Sequence, residues 1–212
     1  VHSTKDMPVE QPAGLIMETF LPREDVRDAF VSLKYKSLSE MPAGAIVGSS
    51  STRRRAQLAA RFPHLEVVEF RGNVQTRLKK LADGVADATF LATAGLRRLG
   101  MDDVPYTPID PEDMLPAIAQ GAIGIERRID DARATEMLAA IHDAPTGHRL
   151  AAERAFLAAL DGSCETPIGG LAELSGDTLR LRGEILRGDG SEVLVDDQSG
   201  PVSDGAALGK SM

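Results

Sequence analysis

Residues 45–93 alternate between short apolar runs and helical segments, and no other feature of the chain constrains its fold as strongly. The apolar runs are AIVG (45–48), LEVVEF (65–70) and ADATFLAT (86–93), and each has the length and composition of a strand. Between them, Ser50 or Ser51 can cap one helix, and Asn73 can cap a second helix that Gly84 ends. Strand, helix, strand, helix, strand at this spacing predicts a parallel α/β sheet.

The pattern changes toward the C-terminus. Residues 170–197 alternate short β runs with SGD and GDG turns, which predicts an antiparallel meander. Before it, segments 13–20 and 121–126 are strand-like, and segments 130–142 and 146–162 are helical. The chain is therefore expected to be an α/β protein followed by a small α+β module.

The composition excludes several classes of protein. With 212 residues, 42% of them hydrophobic, the chain can bury one large core or several small ones. It has one cysteine, unlike secreted chains of this size, and no apolar run long enough to cross a bilayer. It begins at Val1 without Met or an apolar leader. We therefore expect a soluble, cytoplasmic protein without a membrane partner, and a sequence that is part of a longer chain.

The net charge of −8 is distributed unevenly. Residues 53–98 carry ten basic and four acidic side chains, so this segment is positive and the remainder is strongly negative. Arginine outnumbers lysine 18 to 6, and its planar fork pairs bidentately with carboxylate or phosphate. A basic cluster in an acidic chain favours a small anionic ligand, because the acidic remainder would repel a nucleic acid.

Several arginines lie at predicted strand-to-helix junctions. In an open α/β sheet these junctions gather at the carboxyl edge of the strands, where the first N–H groups of each helix attract anions. Many arginines merely solvate helix surfaces, and we assign Arg55 and Arg61 to that class. Because the pattern repeats at two junctions, we predict an anion cradle. Its members are Arg53, Arg54, Arg71 and Arg77.

The segment VHSTKDMP (1–8) is a second candidate site. Lys5 and Asp6 are adjacent, and Pro8 prevents the segment from continuing as a helix. A carboxylate beside cations can stabilise a developing positive charge or move a proton. Taken alone, such a pair is more often a solvated turn. No metal site is predicted, because the spacing of the histidines does not fit one.

The only cysteine, Cys164, lies in the stretch DGSCETPIGG (161–170), directly after a predicted helix. It has no partner for a disulfide within the chain. A free cysteine is commonly a buried filler. A loop flanked by glycines also suits a covalent tether, so the residues by themselves leave both interpretations open.

Six segments together resemble the porphobilinogen deaminase family, also called the hydroxymethylbilane synthases, of tetrapyrrole biosynthesis. They follow the family's order and spacing over essentially the whole chain, which lacks the family's N-terminal segment. The segments are VHSTKDMP, GSSSTRRRAQL, RGNVQTRL, ATAGLRRLG, LPAIAQGAIGIE and ERAFLAALDGSCETPIGG.

The resemblance implies a transferase that deaminates four porphobilinogen molecules and joins them head to tail into hydroxymethylbilane. In the family, a loop cysteine carries a dipyrromethane cofactor through a thioether bond, and Cys164 occupies that position. Every pyrrole unit carries an acetate and a propionate, so the growing chain is anionic. Loss of ammonia leaves an electron-poor cation, which a buried carboxylate can stabilise. A cytoplasmic monomer without a nucleic-acid partner is expected.

The resemblance also implies roles for individual residues. Asp6 matches the catalytic aspartate. The cofactor-binding positions correspond to Cys164, Lys5, Ser51, Arg53 and Arg54. The substrate-binding positions correspond to Ser3, Arg71, Arg77 and Arg98.

The family fold implies two α/β domains that resemble periplasmic binding proteins across a hinged cleft, followed by a small α+β C-terminal domain. On this basis we expect the first domain to be incomplete here. Residues 1–21 and 116–142 would be its remnant, residues 22–115 the second domain, and residues 143–212 the third domain with the cofactor loop.

Two other functions are compatible with parts of the sequence. A non-catalytic solute-binding module would use the same cleft for a small polycarboxylate and carry no adduct on Cys164. A nucleic-acid-binding protein would use the run Arg53 to Arg55. The acidic remainder and an aromatic content of 4% argue against the latter.

Overall fold

A computed structural model describes residues 1–163 and 165–212 of the chain, so the predicted role of Cys164 lies outside the described residues. The strands are β1 (His2–Ser3), β2 (Leu15–Phe20), β3 (Asp28–Ser32), β4 (Ile46–Gly48), β5 (Glu66–Val68), β6 (Ala88–Ala92), β7 (Tyr106–Pro108), β8 (Ile123–Arg128), β9 (Ile168–Ser175), β10 (Thr178–Leu186) and β11 (Val193–Pro201). The helices are α1 (Thr52–Arg61), α2 (Val74–Ala82), α3 (Thr93–Arg98), α4 (Ala132–Ala139), α5 (Ala144–Ala159) and α6 (Gly205–Ser211). In the described part of the chain, no helix has both the length and the apolar character needed to cross a membrane.

A five-stranded sheet in the order β5-β4-β6-β3-β7 contains the alternating segments. Strand β4 is parallel to β5 and β6, as the alternation predicts. Strand β3 is antiparallel to β6 and β7, so the whole sheet is mixed, with its parallel part formed by the strands of the alternating region. Strand β3 was not predicted, because its five buried residues follow a run of charges that is typical of a surface loop.

Helices α1 and α2 begin at the predicted caps. Ser51 Oγ accepts a hydrogen bond from Arg54 N at 3.4 Å, and Asn73 Oδ1 accepts one from Thr76 N at 2.8 Å. Helix α2 stops before Gly84, whose φ of +76° lies in the left-handed region that favours glycine. The cap at Ser51 fixes where α1 starts, and it therefore fixes the position of the arginines in its first turn.

A second sheet, β1-β8-β2, is antiparallel. The chain crosses from it to the five-stranded sheet through residues 21–27, the first crossing segment, and returns through residues 109–122, the second crossing segment. The two segments are in close contact, because a Cβ atom at Gly121 would lie 2.4 Å from the Glu24 carbonyl oxygen. The loop after β1 joins them, since Thr4 N donates to Ala122 O at 3.0 Å.

The C-terminal strands form the predicted antiparallel meander, in the order β11-β10-β9. Helix α5 packs on it, and Leu150 and Phe156 share one core with Leu179 and Leu181 of β10. The connection from α5 to β9 is short and contains position 164. The domain boundaries stated above stay a prediction.

A buried carboxylate joins the C-terminal sheet to both crossing segments. Glu153 of α5 is fully buried and accepts hydrogen bonds from Arg23 at 2.6 and 3.0 Å. It also accepts from Ala119 N at 2.7 Å and from Ala172 N at 2.8 Å. These donors replace the water that a buried carboxylate loses. Glu153 therefore fixes the second crossing segment against α5 and β9.

Glu184 of β10 joins the C-terminal sheet to α1. Its carboxylate is 1% exposed and accepts hydrogen bonds from Gln57 Nε2 and Arg61 Nη2. Glu184→Ala is expected to lower the free energy of unfolding by about 1–3 kcal/mol, because both donors lose an acceptor. Chemical denaturation measures this loss.

The matched control for Glu184→Ala is Asp197→Ala, which breaks an exposed ion pair with Arg180 on the same sheet. An exposed pair contributes little, so the control is expected to stay within about 0.5 kcal/mol of the unchanged protein. Equal losses of unfolding free energy in the two variants would show that the buried contacts of Glu184 stabilise the fold no more than the exposed ion pair does.

Candidate active site

The loops after β1 and β4, helix α2, the second crossing segment and the connection from α5 to β9 meet at one cleft. Its cavity volume is about 260 Å³. We refer to it as the basic cleft, because cations dominate the charged side chains among its described lining residues. The charged lining is Lys5, Asp6, Arg53, Arg54 and Arg77. The other lining residues are Ser50, Ser51, Ala117, Ile118, Gln120, Leu157, Ser163, Thr166 and Ile168.

The arginines at the start of α1 pair with a buried carboxylate that the sequence analysis missed. Arg53 Nη2 donates to Asp28 Oδ2 at 2.8 Å, and Arg54 Nη2 donates to Asp28 Oδ1 at 2.7 Å. Asp28 opens β3 and is 1% exposed. Burial would raise the pKa of Asp28, but the charges of Arg53 and Arg54 outweigh burial and hold that pKa well below its usual range. Two of the four arginines of the predicted anion cradle therefore already pair with a buried carboxylate of the protein itself.

Neither guanidinium group has all five of its N–H donors paired with described residues. Arg53 Nη1 donates to Gln57 Oε1 and to Leu115 O, both at 2.8 Å. Arg53 Nε is buried and has no hydrogen-bond partner among the described residues. Arg54 donates from Nε, Nη1 and Nη2 to Asp28 and Phe90, which occupies three of its five N–H groups. A buried donor without an acceptor is costly, and an anionic ligand would remove that cost.

Lys5 joins this network through Gln120. Lys5 Nζ donates to Gln120 Oε1 at 3.2 Å, and Gln120 Nε2 donates to Asp28 Oδ1 at 2.9 Å. Burial, together with the charge of Arg54, lowers the pKa of Lys5 to about 8. The ammonium group therefore lies close to its titration midpoint at neutral to mildly alkaline pH.

Asp6 differs from the buried carboxylate that the resemblance implies. It lines the basic cleft but is exposed, and its carboxylate makes no hydrogen bond or ion pair with another described residue. The buried carboxylate of the site is Asp28. Asp6 is therefore the acidic group that is available to a ligand.

The other residues expected to bind substrate do not all meet at the cleft. Arg77 lines it and is partly buried, with Nε held by a backbone carbonyl at 2.9 Å. Arg71 is exposed and pairs with Glu69 at 2.5 Å. Arg98 is exposed and donates to a carbonyl of the second crossing segment at 2.8 Å, and Ser3 is exposed in β1. The last three residues do not line the cleft, and their roles stay predictions.

Residues on both sides of position 164 line the basic cleft. Ser163 and Thr166 contribute to its wall, as do Leu157 of α5 and Ile168 at the start of β9. Two hydrogen bonds join these polar residues, since Thr166 N donates to Ser163 O and Ser163 N donates to Thr166 Oγ1, both at 3.1 Å. The described residues before and after position 164 therefore border the cleft.

The chemistry available in the basic cleft is that of anion binding beside a free carboxylate. Lysine and arginine donors can hold carboxylates of a ligand, and Asp6 can stabilise a nearby positive charge or accept a proton. Across residues 1–163 and 165–212, no group of three or more His, Cys, Asp or Glu side chains could hold a metal ion.

Lys5 is expected to make anion binding in the basic cleft depend on pH. With a pKa of about 8, its ammonium is charged below that pH and neutral above it, whereas arginines stay charged. In Cys164→Ser protein, the dissociation constant of succinate should therefore rise about ten-fold between pH 7 and pH 9, as followed by isothermal titration calorimetry. Lys5→Met should abolish the rise. A rise of the same size in that variant would assign the titration to another group.

Comparisons with known proteins give matches over most of the chain. Residues 1–136 match the family model described as porphobilinogen deaminase, dipyrromethane cofactor binding domain, and residues 148–212 match the model of the porphobilinogen deaminase C-terminal domain. A porphobilinogen deaminase of Paracoccus denitrificans is 68% identical over 209 residues. The match covers 99% of this chain and 67% of the length of that relative.

Similar solved structures include a periplasmic binding protein and a lipoprotein. An arginine-specific periplasmic binding protein of Salmonella typhimurium is 17% identical with a TM-score of 0.37, and the match covers 60% of this chain and 58% of that one. A YaeC-family lipoprotein of Enterococcus faecalis is also 17% identical, with a TM-score of 0.35 and coverage of 61% and 62%. Scores this low add nothing about the site.

Proposed function

The chain belongs to the porphobilinogen deaminase family, and we propose that the basic cleft is where it carries out the reaction of that family. The family consists of hydroxymethylbilane synthases, transferases that deaminate four porphobilinogen molecules and join them head to tail into hydroxymethylbilane. The reaction uses a dipyrromethane cofactor, and the first family model is named for the domain that binds it.

One observation carries the proposal. Four cations, one free carboxylate and the residues that flank Cys164 line the same cleft in the described part of the chain. Each pyrrole unit carries two carboxylates, so a chain of such units needs several positive partners along its path. Arginine forks and a lysine ammonium supply them with directional hydrogen bonds.

The residues of the cleft fit the dipyrromethane cofactor. Lys5, Arg53 and Arg54 would hold its carboxylates, and the unpartnered Nε of Arg53 is a donor that such a carboxylate would satisfy. Ser51 lines the same wall, and Cys164 would form the thioether bond from the loop between Ser163 and Thr166. When bound, the cofactor supplies the pyrrole position to which the first substrate molecule is joined.

Asp6 would be the catalytic residue. Departure of ammonia from porphobilinogen leaves positive charge on the pyrrole, and a carboxylate without another partner can stabilise that charge. The same carboxylate oxygens can accept the proton that the pyrrole releases when the new bond has formed. Arg77 would bind substrate carboxylates in the cleft, and Arg71, Arg98 and Ser3 would bind them further out.

The direct test is incubation of the purified protein with porphobilinogen, with quantification of hydroxymethylbilane and ammonia. The proposal predicts one hydroxymethylbilane for every four porphobilinogen molecules consumed. If porphobilinogen binds without release of ammonia, the protein is a non-catalytic binding module for a polycarboxylate, and the enzymatic proposal fails.

We include a cytoplasmic location and a monomeric state in the proposal. The presence of one cysteine in 212 residues supports a reducing compartment. The whole chain has a net charge of −8, and its positive charge is concentrated in residues 53–98, which supports a small-molecule substrate over a nucleic acid. Size-exclusion chromatography with light scattering tests the monomeric state.

A further inference from the structure

We propose that Asp28 is a positioning residue that holds Arg53 and Arg54 with their free N–H groups toward the basic cleft and supports Lys5 through Gln120. Asp28 itself does not line the cleft. The inference rests on the proposed function, because it concerns the groups that would grip the pyrrole carboxylates. It adds a residue to which the sequence analysis gave no role.

Helix geometry explains why a shared carboxylate is needed. Consecutive residues of an α-helix point about 100° apart, so Arg53 and Arg54 do not naturally face the same ligand. Asp28 accepts from Arg53 through Oδ2 and from Arg54 through Oδ1, at 2.8 and 2.7 Å. This single carboxylate draws both side chains to one side of α1, where both line the cleft.

Asp28 also offsets the electrostatic repulsion between the side chains of Arg53 and Arg54. Arg53 and Arg54 are 3% and 6% exposed, so little water screens their mutual repulsion. The carboxylate of Asp28 is fully enclosed and lies at the start of β3, behind the arginines. The cleft can therefore present two adjacent guanidinium groups without one of them turning away.

Lys5 depends on the same carboxylate. The charged groups around it are Asp6 on its own loop, Arg53 and Arg54 on α1, and Asp28 on β3, with Gln120 as its hydrogen-bond acceptor. The arginines disfavour the charged ammonium, whereas Asp28 and Asp6 favour it. Removing the charge of Asp28 therefore lowers the pH at which Lys5 loses its proton.

Asp28→Asn tests the proposal, because it keeps the shape of the side chain and removes its charge. This variant, its control and the second variant are made in the Cys164→Ser background, in which no cofactor occupies the basic cleft. Two effects oppose each other in this variant. A more positive cleft would attract anions, but a neutral amide has one oxygen and cannot orient both guanidinium groups. Orientation dominates in a buried site, so the dissociation constant of succinate at pH 7 should rise about ten-fold. The pH midpoint of binding should also fall by about one unit.

The control is Asp87→Asn, which removes a carboxylate paired with Lys34 at the opposite end of the β3–β6 pair. It should leave both the dissociation constant and the midpoint unchanged. Calorimetry between pH 6 and pH 9 gives both values, and circular dichroism checks that each variant folds. Unchanged or tighter succinate binding in folded Asp28→Asn would overturn the proposal.

A second variant covers the case in which Asp28→Asn does not fold. Gln120→Leu keeps the ion pairs of Asp28 with the arginines but removes the acceptor of Lys5. The pH midpoint of succinate binding should fall in this variant, with little change in the affinity for succinate at pH 6. An unchanged pH midpoint would overturn the proposal. Because succinate binding requires no turnover, this result is independent of whether the protein forms hydroxymethylbilane.

Discussion

Cys164→Ser is expected to reduce hydroxymethylbilane formation by roughly a thousand-fold or more. Serine is close to cysteine in size, but its hydroxyl is a far weaker nucleophile than a thiolate and would not form the thioether bond to the primer. The cations of the basic cleft would remain and would no longer be occupied by the carboxylates of the cofactor, so succinate should bind at least as tightly as in the unchanged protein. Initial rates with saturating porphobilinogen measure the loss.

Glu165→Gln is the matched control for Cys164→Ser, because this exposed residue is adjacent in sequence and does not line the basic cleft. It should keep nearly full turnover. If Cys164→Ser forms hydroxymethylbilane at the rate of the control, the cysteine is an ordinary loop residue and the primer is attached elsewhere or not needed.

Asp6→Ala is expected to lower kcat by about 10²–10⁴-fold with little change in KM. The carboxylate would act on charge and protons that appear during the reaction, so its loss affects the transition state more than substrate binding. Stability should stay within about 0.5 kcal/mol, because Asp6 is exposed and has no ion pair with the described residues.

Glu10→Ala gives the comparison for Asp6→Ala, since it removes an exposed carboxylate a few residues along the same loop and outside the basic cleft. The control should retain its kcat. Undiminished turnover in Asp6→Ala would exclude this carboxylate as the catalytic group. Equal losses in both variants would indicate damage to the loop.

Local patterns in the sequence were sufficient to predict many of the strands and helices around the cleft. The alternation over 45–93 gave β4, β5 and β6, and the caps at Ser51 and Asn73 depend only on residues within one turn. The meander after position 164 followed from its turns. These features were predictable because hydrogen bonds between close neighbours and short-range periodicity determine them.

The buried polar contacts were not predictable from local patterns. Asp28 follows the charged stretch REDVR, which is typical of a solvated loop, yet it pairs with arginines 25 and 26 positions away. Glu184 and Gln57 are 127 positions apart. Such contacts depend on how the sheets pack. A hint was available at Asp28, since a charge directly before the apolar run AFV needs a partner if that run is buried.

Local patterns also could not predict which of the junction arginines are buried. In the sequence, Arg53, Arg54 and Arg71 occupy equivalent strand-to-helix junctions. In the structure the first two are buried and paired with Asp28, whereas Arg71 is exposed and paired with Glu69. A junction motif gives the position of a residue along the chain, but burial depends on the strand that lies opposite, and β3 was not predicted.

The intact mass of the purified protein, followed by the mass of the peptide that contains Cys164, tests the central claim most directly. We predict an addition equal to two linked pyrroles, located on Cys164 and absent from Cys164→Ser. A protein that turns over porphobilinogen while its cysteine peptide has the unmodified mass would contradict the account.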